Sequence, residues 1–386
     1  MSEHMKSLAI LSTHPIQYNA PLYRMLALAN QEIELKVFYS KKTDEVLFDK
    51  EFGQIIEWDI PLTEGYQFES FQASLKTGRK DLIDAIHAFK PAAILVYGWN
   101  FDGHLSIMRH FKGCIPIWFR GDSTLLDPLP ASKRLLRKVA LNWVYRFVDL
   151  AFYVGQANLR YYKWCGLRNE QLVYAPHAVD NAFFTKDIKK KENQATQLRT
   201  QLGIGSNAVV LLFAGKLDPI KQPVFLANAF SHVLNHQDEK RESHLIFVGS
   251  GALETTLKQE FGANQHIHFV GFQNQSLMPA WYQAADVLCL PSMSETWGLA
   301  VNEALVNECR VLVSNRVGCA EDLVKGKEYG AIFQWDNSND LIEAMRTIIA
   351  SEEKPSVHEI PSIDVFCKSI LEQLVRLDTS TINCNK

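Results

Sequence analysis

Two glutamates in the segment LPSMSETWGLAVNEALV, Glu295 and Glu303, are separated by seven residues. A carboxylate can accept two hydrogen bonds from a vicinal diol, so either side chain suits a sugar or a ribose. Gly298 and Leu299 open a helix between them, and a helix amino end offers backbone N–H groups and partial positive charge to a phosphate. On spacing alone, a helix cap and a solvated face fit the pair equally well. Paired carboxylates can also serve as the acid and nucleophile of glycoside hydrolysis. A phosphate site at a helix start would be superfluous for that reaction. Upstream, Gly249, Ser250 and Gly251 make a turn after a strand, though a lone Gly-x-Gly can simply let the chain turn. Phe272 and Gln273 follow another strand and could line a base pocket or an ordinary loop.

Elements that hold these residues follow a regular rhythm. Short apolar runs at 8–11, 34–39, 92–97, 115–119, 151–154 and 171–175 read as strands, with helices predicted over 20–30, 75–89 and 132–148. The stretch from Thr43 to Phe71 fits a strand or two with long loops. Strands alternating with helices of this size imply βαβ units and a mainly parallel sheet covered on both faces. A charged, lysine-rich stretch then reads as a linker with a solvated helix. The rhythm restarts with strands at 209–214, 244–248, 267–270, 287–290 and 311–314, followed by helices over 339–350 and 361–377. The expected fold class is therefore α/β with two Rossmann-like domains facing across a cleft. The expected divisions are residues 1–180, a linker at 181–207, a second domain at 208–360, and a C-terminal helix and tail at 361–386 that could pack back on the first domain. Ligands of open α/β sheets bind beyond the carboxyl ends of the strands, where the candidate residues fall.

Composition narrows the function classes. The chain has 386 residues, 47% of them hydrophobic, and can bury more than one core. A formal net charge of −3 gives no basic field, which argues against nucleic acid as a partner. Seven cysteines without a Cys-x-x-Cys pair point to a reducing compartment, and no apolar run is long enough to span a bilayer. The expected location is cytoplasmic.

Glu-x7-Glu, with aromatic-Gly-Leu after the first glutamate and Ala-Leu after the second, resembles the signature of retaining family 4 glycosyltransferases. LLFAGKLDPIKQP, LIFVGSGALE, IHFVGFQNQSLMPAWYQAADVLCLPS, VSNRVGCAEDLV and YAPHAVD are similar to other segments of that family, in order, from about Leu172 to Val324. STHPIQYNAPLYRML looks like a subgroup carrying an N-terminal His-Pro-Ile-Gln-Tyr motif. The resemblance implies the two-Rossmann (GT-B) fold and a retaining transfer from a nucleotide-diphosphate sugar, UDP- or GDP-linked, without other cofactors. It implies that Glu303 holds the donor ribose, and that Glu295 and the backbone from Thr296 through Trp297 and Gly298 to Leu299 hold the sugar and distal phosphate. Lys216 and Lys221 would neutralise the diphosphate. The family more often has arginine at the first of these, and an ammonium lacks the bidentate fork. Charge building on a leaving diphosphate must be stabilised as the bond breaks. Some glycosyltransferases use a divalent ion held by Asp-x-Asp for this. The sequence contains no such motif, so no metal ligand is expected.

The first domain should supply the acceptor side, whether a glycan, a lipid-linked or a small-molecule hydroxyl. His14 stands at a strand's carboxyl end. In WFRGDSTLL, where many relatives carry histidine, Asp122 could orient an acceptor hydroxyl, or Arg120 and Asp122 could pair with each other. Trp99 could stack on a sugar or fill the core. Lys133, Arg134, Arg137, Lys138 and Arg146 share a helix with Leu135, Leu136, Val139, Leu141, Trp143 and Val144. That helix either rests on an anionic membrane or buries its apolar face. A nucleotide-sugar epimerase of the same fold and a catalytically inactive sugar-nucleotide or glycan-binding protein are the alternative functions.

Overall fold

A computed structural model describes residues 6–29, 33–42, 48–49, 54–55, 57–236 and 242–377. They form two compact units. Unit 1 comprises the described residues of 1–46, 61–177 and 362–386, and unit 2 those of 47–60 and 178–361.

Unit 1 runs β1 (Lys6–Ser12), α1 (Ala20–Leu28) and β2 (Ile33–Tyr39). The short antiparallel pair β3 (Phe48–Asp49) and β4 (Gln54–Ile55) then belongs to unit 2. The chain resumes unit 1 with β5 (Gln67–Ser70), α2 (Lys76–Phe89), β6 (Ala93–Tyr97), α3 (His104–Phe111) and β7 (Ile117–Arg120). It continues through α4 (Ala131–Tyr145), β8 (Leu150–Tyr153), α5 (Gln156–Trp164) and β9 (Leu172–Tyr174). The strands form one parallel sheet in the order β5-β2-β1-β6-β7-β8-β9. Alternate residues of β1 feed opposite cores: Ala9 and Leu11 enter one apolar cluster, Leu8 and Ile10 the other. Burial on both faces explains why these strands read as unbroken hydrophobic runs.

Unit 2 contains α6 (Asn181–Thr185), α7 (Ile188–Gln201), β10 (Val209–Ala214), α8 (Pro223–Asn235), β11 (Ser243–Val248) and α9 (Glu254–Phe261). It continues with β12 (Ile267–Gly271), α10 (Met278–Ala284), β13 (Val287–Leu290), α11 (Leu299–Val306), β14 (Arg310–Ser314), β15 (Gly330–Phe333) and α12 (Ser338–Ala350). Its parallel sheet has the order β12-β11-β10-β13-β14-β15. The chain therefore reverses direction across the sheet at β10, the kind of switch point where open α/β sheets bind ligands. Both units are Rossmann-like, as the alternating pattern implied.

The last helix, α13 (Ile363–Arg376), packs on α1 and β1 of unit 1. Phe366, Ile370 and Leu374 are fully buried there, and the Lys6 ammonium donates to the Leu374, Val375 and Leu377 carbonyls at 2.7–3.1 Å. A cation on the last carbonyls of a helix also complements its dipole. The expected return of the C-terminal helix to the first domain is thus observed. The stretch read as a linker with a solvated helix contains the short helix α6 and the helix α7, of which only Ala195 is buried. Asp180 caps α6 through the Phe183 N–H at 3.0 Å, and α7 packs along α10. The sixth strand of unit 2, β15, was not read from the sequence. Gly330 begins it and only Phe333 is fully buried, so four residues carry too little pattern.

Candidate functional site

All strands of the unit 2 sheet are parallel, so the loops after β10, β11, β12, β13 and β14 lie at one edge. The loop after β10 enters a tight turn at Pro219–Lys221, capped by Asp218, whose carboxylate accepts from the Lys221 N–H at 2.9 Å. The Met293 N–H donates to the Ile220 carbonyl at 2.8 Å, tying this turn to the loop after β13. That tie brings the Lys221 ammonium onto the Glu295 carboxylate as an ion pair. Glu295 is held in turn by its backbone: its N–H donates to the Arg316 carbonyl at 3.3 Å, and its carbonyl accepts from Gly318 at 3.0 Å. The two residues are separated by 74 positions in sequence. Lys216, half-buried, follows β10 at the same edge.

Gly298 caps α11 with φ +95, a left-handed conformation. A Cβ there would lie 2.9 Å from Val317 and 3.0 Å from Leu290. Only glycine fits both constraints, and it brings no side chain to compete for the first-turn N–H groups. Trp297 points inward; it is buried and its indole N–H donates to Asn302 at 2.8 Å. Its side chain anchors the loop.

Glu303 is buried on α11. Tyr282 donates to one carboxylate oxygen at 2.6 Å and Gln275 to the other at 3.3 Å. Tyr282 on α10 and Gln275 after β12 were not picked out from the sequence. The Ala-Asp run placed α10 in order but not which of its side chains turn toward α11.

Other expected residues have local structural duties. A Cβ on Gly249, φ +137, would stand 1.9 Å from the Gly215 carbonyl oxygen. This glycine therefore allows the loops after β10 and β11 to touch, and Gly251 follows it in the same turn. Gln273 folds its amide back onto the Val270 carbonyl at 2.9 Å. Phe272 meets the edge of Trp58, ring centroids 6.4 Å apart, and Asn274 and Ser276 bond to Glu57 and Asp59. This excursion at 57–59 covers the loop after β12 and was not foreseen, because nothing in its sequence marks a departure from the first unit.

At the carboxyl edge of the unit 1 sheet, half-buried His14 follows β1, with Nδ1 2.9 Å from the Thr13 hydroxyl. Burial, and secondarily Lys41, holds its pKa below 6.5, so the ring is neutral at pH 7. His104 is fully buried, bridging the Gly98 carbonyl at 2.9 Å and the Ser40 hydroxyl at 3.1 Å, and burial lowers its pKa to about 4. Arg120 does not pair with Asp122. Its guanidinium donates to the Ala175 and Pro176 carbonyls at 2.8 and 3.1 Å and stacks on Phe366. Asp122 instead stands 3.8 Å from His177 Nε2. Trp99 packs against the core.

On α4, Leu141, Val144 and Tyr145 face inward. Leu135, Leu136, Val139 and Trp143 are 66%, 72%, 62% and 42% exposed. Helical spacing puts these four on one outward face. The expected alternative of a wholly buried apolar face is therefore overturned: the helix has two apolar faces and the core needs only one. No ion pair among the described residues includes Lys133, Arg134, Arg137 or Lys138. Among the described residues no helix is long and apolar enough to cross a membrane.

Known proteins place this geometry in context. Residues 194–358 match the family model "Glycosyl transferases group 1". The chain is 32% identical over 138 residues to D-inositol 3-phosphate glycosyltransferase 2 of Catenulispora acidiphila, covering 33% of this chain and 32% of the relative. It is 30% identical over 168 residues to the D-inositol 3-phosphate glycosyltransferase of Jonesia denitrificans, covering 42% and 38%. It thus spans about a third of the length of these curated relatives. Among solved structures, HepE of Anabaena in complex with UDP aligns with TM-score 0.65 at 20% identity, covering 98% of this chain and 97% of that one. Sucrose-phosphate synthase of Thermosynechococcus elongatus aligns with TM-score 0.66 at 18% identity, covering 96% and 94%. At these identities the likeness shows the fold, the two-Rossmann GT-B class.

Proposed function

We propose that the protein is a retaining glycosyltransferase that moves a sugar from a UDP- or GDP-linked donor to an acceptor hydroxyl without a catalytic metal. The carrying observation is the Lys221–Glu295 pair, joined across two loops at the switch-point edge beside the amino end of α11. The glycosyltransferase group 1 match over 194–358 and the UDP held by HepE support the reading. An ammonium has three donors, so Lys221 can keep Glu295 and still reach a phosphate oxygen. Glu295 orients the sugar hydroxyls, Glu303 accepts from the ribose, and Lys216 adds positive charge. The bond from the anomeric carbon to the diphosphate breaks with its electron pair leaving on the phosphate oxygen. The acceptor oxygen bonds to that carbon on the same face, and its proton passes to the departing phosphate. The lysines and α11 stabilise the charge as it grows.

A thermal-shift panel of UDP-, GDP- and ADP-sugars tests the donor. A true donor raises Tm in a concentration-dependent way. No shift with any of the three would sink the reading. Free nucleotide together with an altered sugar, formed without acceptor, would make the protein an epimerase. Binding without donor turnover would make it an inactive binder.

The outward face of α4 favours an acceptor at a membrane surface. Its apolar stripe lies between Lys133 and Lys138, the arrangement of a helix resting on anionic lipid. Each basic residue near such a surface contributes about 1 kcal/mol, and the attraction fades as salt shortens the Debye length. We place the protein in the cytoplasm, on the inner face of the membrane. Co-sedimentation with anionic vesicles at low salt, lost with neutral lipid and in the Leu136→Ser/Val139→Ser double variant, is the expected result. Equal, negligible pelleting in every condition would remove the membrane from the account.

A further inference from the structure

At the amino edge of the unit 2 sheet, Glu242 and His244 flank the start of β11, and His266 and His268 flank the start of β12. The strands are parallel, with Leu245 opposite Ile267 and Ile246 opposite His268, which sets His244 opposite His266. Residues two apart on a strand share a face, as do partners across a parallel pair. The alternation Glu-x-His on one strand and His-x-His on the next therefore gathers all four side chains on one side of the sheet. One ligand atom each from Glu242, His244 and His266 lies within 4.8 Å of the others.

The partners around the rings can support a bound metal. His266 Nδ1 lies 3.2 Å from the Ser243 carbonyl, which can only accept, so that nitrogen carries the proton and Nε2 keeps its lone pair. His244 Nδ1 lies 2.9 Å from His268 Nε2, and its own Nε2 faces the Glu242 carboxylate at 3.1 Å, so without an ion Nε2–H donates to the carboxylate; an entering metal takes the place of that proton, and Nδ1–H then donates to His268. Metal-bound histidines characteristically donate their second ring N–H to a carbonyl or another acceptor. With zinc legs of about 2.0–2.1 Å, tetrahedral ligand atoms stand about 3.3 Å apart. The His244–Glu242 contact is already that short, and Glu242 is exposed and able to adjust.

We propose that Glu242, His244 and His266 form a divalent transition-metal site, suited to Zn²⁺, with His268 as the outer partner that orients His244. Nitrogen and carboxylate ligands in a three-residue set fit zinc better than Mg²⁺ or Ca²⁺, which take oxygen. The bound ion would staple the edge strand β12 to β11, at the opposite end of the sheet from Lys221 and Glu295. This departs from the expectation of no metal ligand, which rested on the missing Asp-x-Asp motif and concerned the donor end.

The test uses the full-length, tag-free chain, stripped with EDTA, dialysed, and titrated with Zn²⁺ against a chromophoric chelator. One equivalent should bind per chain. Glu242→Gln and His266→Ala should each weaken it at least 100-fold, and His268→Ala about 10–100-fold. Glu242→Gln is isosteric at an exposed position, so a folding defect would not mask its result, and circular dichroism verifies all three variants. No stoichiometric binding, or binding unchanged in Glu242→Gln and His266→Ala, overturns the proposal. Mg²⁺ should produce no competition.

Discussion

The carboxyl edges of the two sheets are built from similar residue types and use them differently. In unit 2, charged side chains converge on one another: Lys221 meets Glu295 across 74 residues. In unit 1, Arg120 and His104 are spent on main-chain carbonyls and one serine hydroxyl. Arg120 holds two carbonyls beyond β9, and His104 ties the ends of β2 and β6. The first edge is equipped to meet charge; the second is equipped to hold loops in place while smaller, half-buried groups such as His14 and Asp122 face outward. A charged residue at a strand end is therefore not by itself a binding residue. Its partners decide, and a fully buried guanidinium bonded to main-chain carbonyls serves the scaffold.

The largest expected effect tests the converging edge. Lys221→Ala should lower kcat about 10²–10³-fold with a smaller change in donor KM, since the charge it meets grows in the transition state. A loss confined to KM would show that Lys221 only binds. The scaffolding edge is probed by pH. His104 has a folded pKa of about 4 against 6.5 in the unfolded chain, so the unfolded state binds more protons between those values. Its contribution is present above pH 6.5 and is lost as pH falls toward 4. The size is about 3 kcal/mol at most, at 1.36 kcal/mol per unit. Urea midpoints measured across that window should fall with acid, and His104→Asn should flatten the slope. A slope unchanged in the variant would assign the acid sensitivity elsewhere. The smallest effect concerns the ribose. Glu303→Gln should raise donor KM about tenfold with kcat nearly intact, because one acceptor oxygen becomes an amide donor. If kcat falls instead, Glu303 acts in the chemical step.

Legibility in the sequence follows the same division. The strands of unit 2 were readable because both faces are buried, and the β10 and β13 runs coincide with the observed Val209–Ala214 and Val287–Leu290. Glu295 and Glu303 were readable because contiguous residues carry the motif. Tyr282 and Gln275 were not, since a hydrogen bond to Glu303 depends on how α10 sits against α11. The roles of Arg120 and His104 were equally hidden. Their partners are main-chain carbonyls or a serine hydroxyl, which no residue type announces. The second apolar face of α4 was half legible: its residues were visible, but which face the core would take was not.

Lys6 grips the carbonyls of residues some 368–371 positions further along the chain. On a ribosome adding about 5–20 residues per second, the first strand waits on the order of 20–70 s for that helix to be made. Unit 2 is synthesised entirely within the interval, apart from its early excursion. The earliest-made sheet is thus the last to be sealed, and its hydrophobic flank beside α1 stands open throughout. A stop codon between the end of unit 2 and α13 would leave that flank bare, so a nascent chain cut short there would be marked for chaperones and proteases although its second unit had everything it needs to fold.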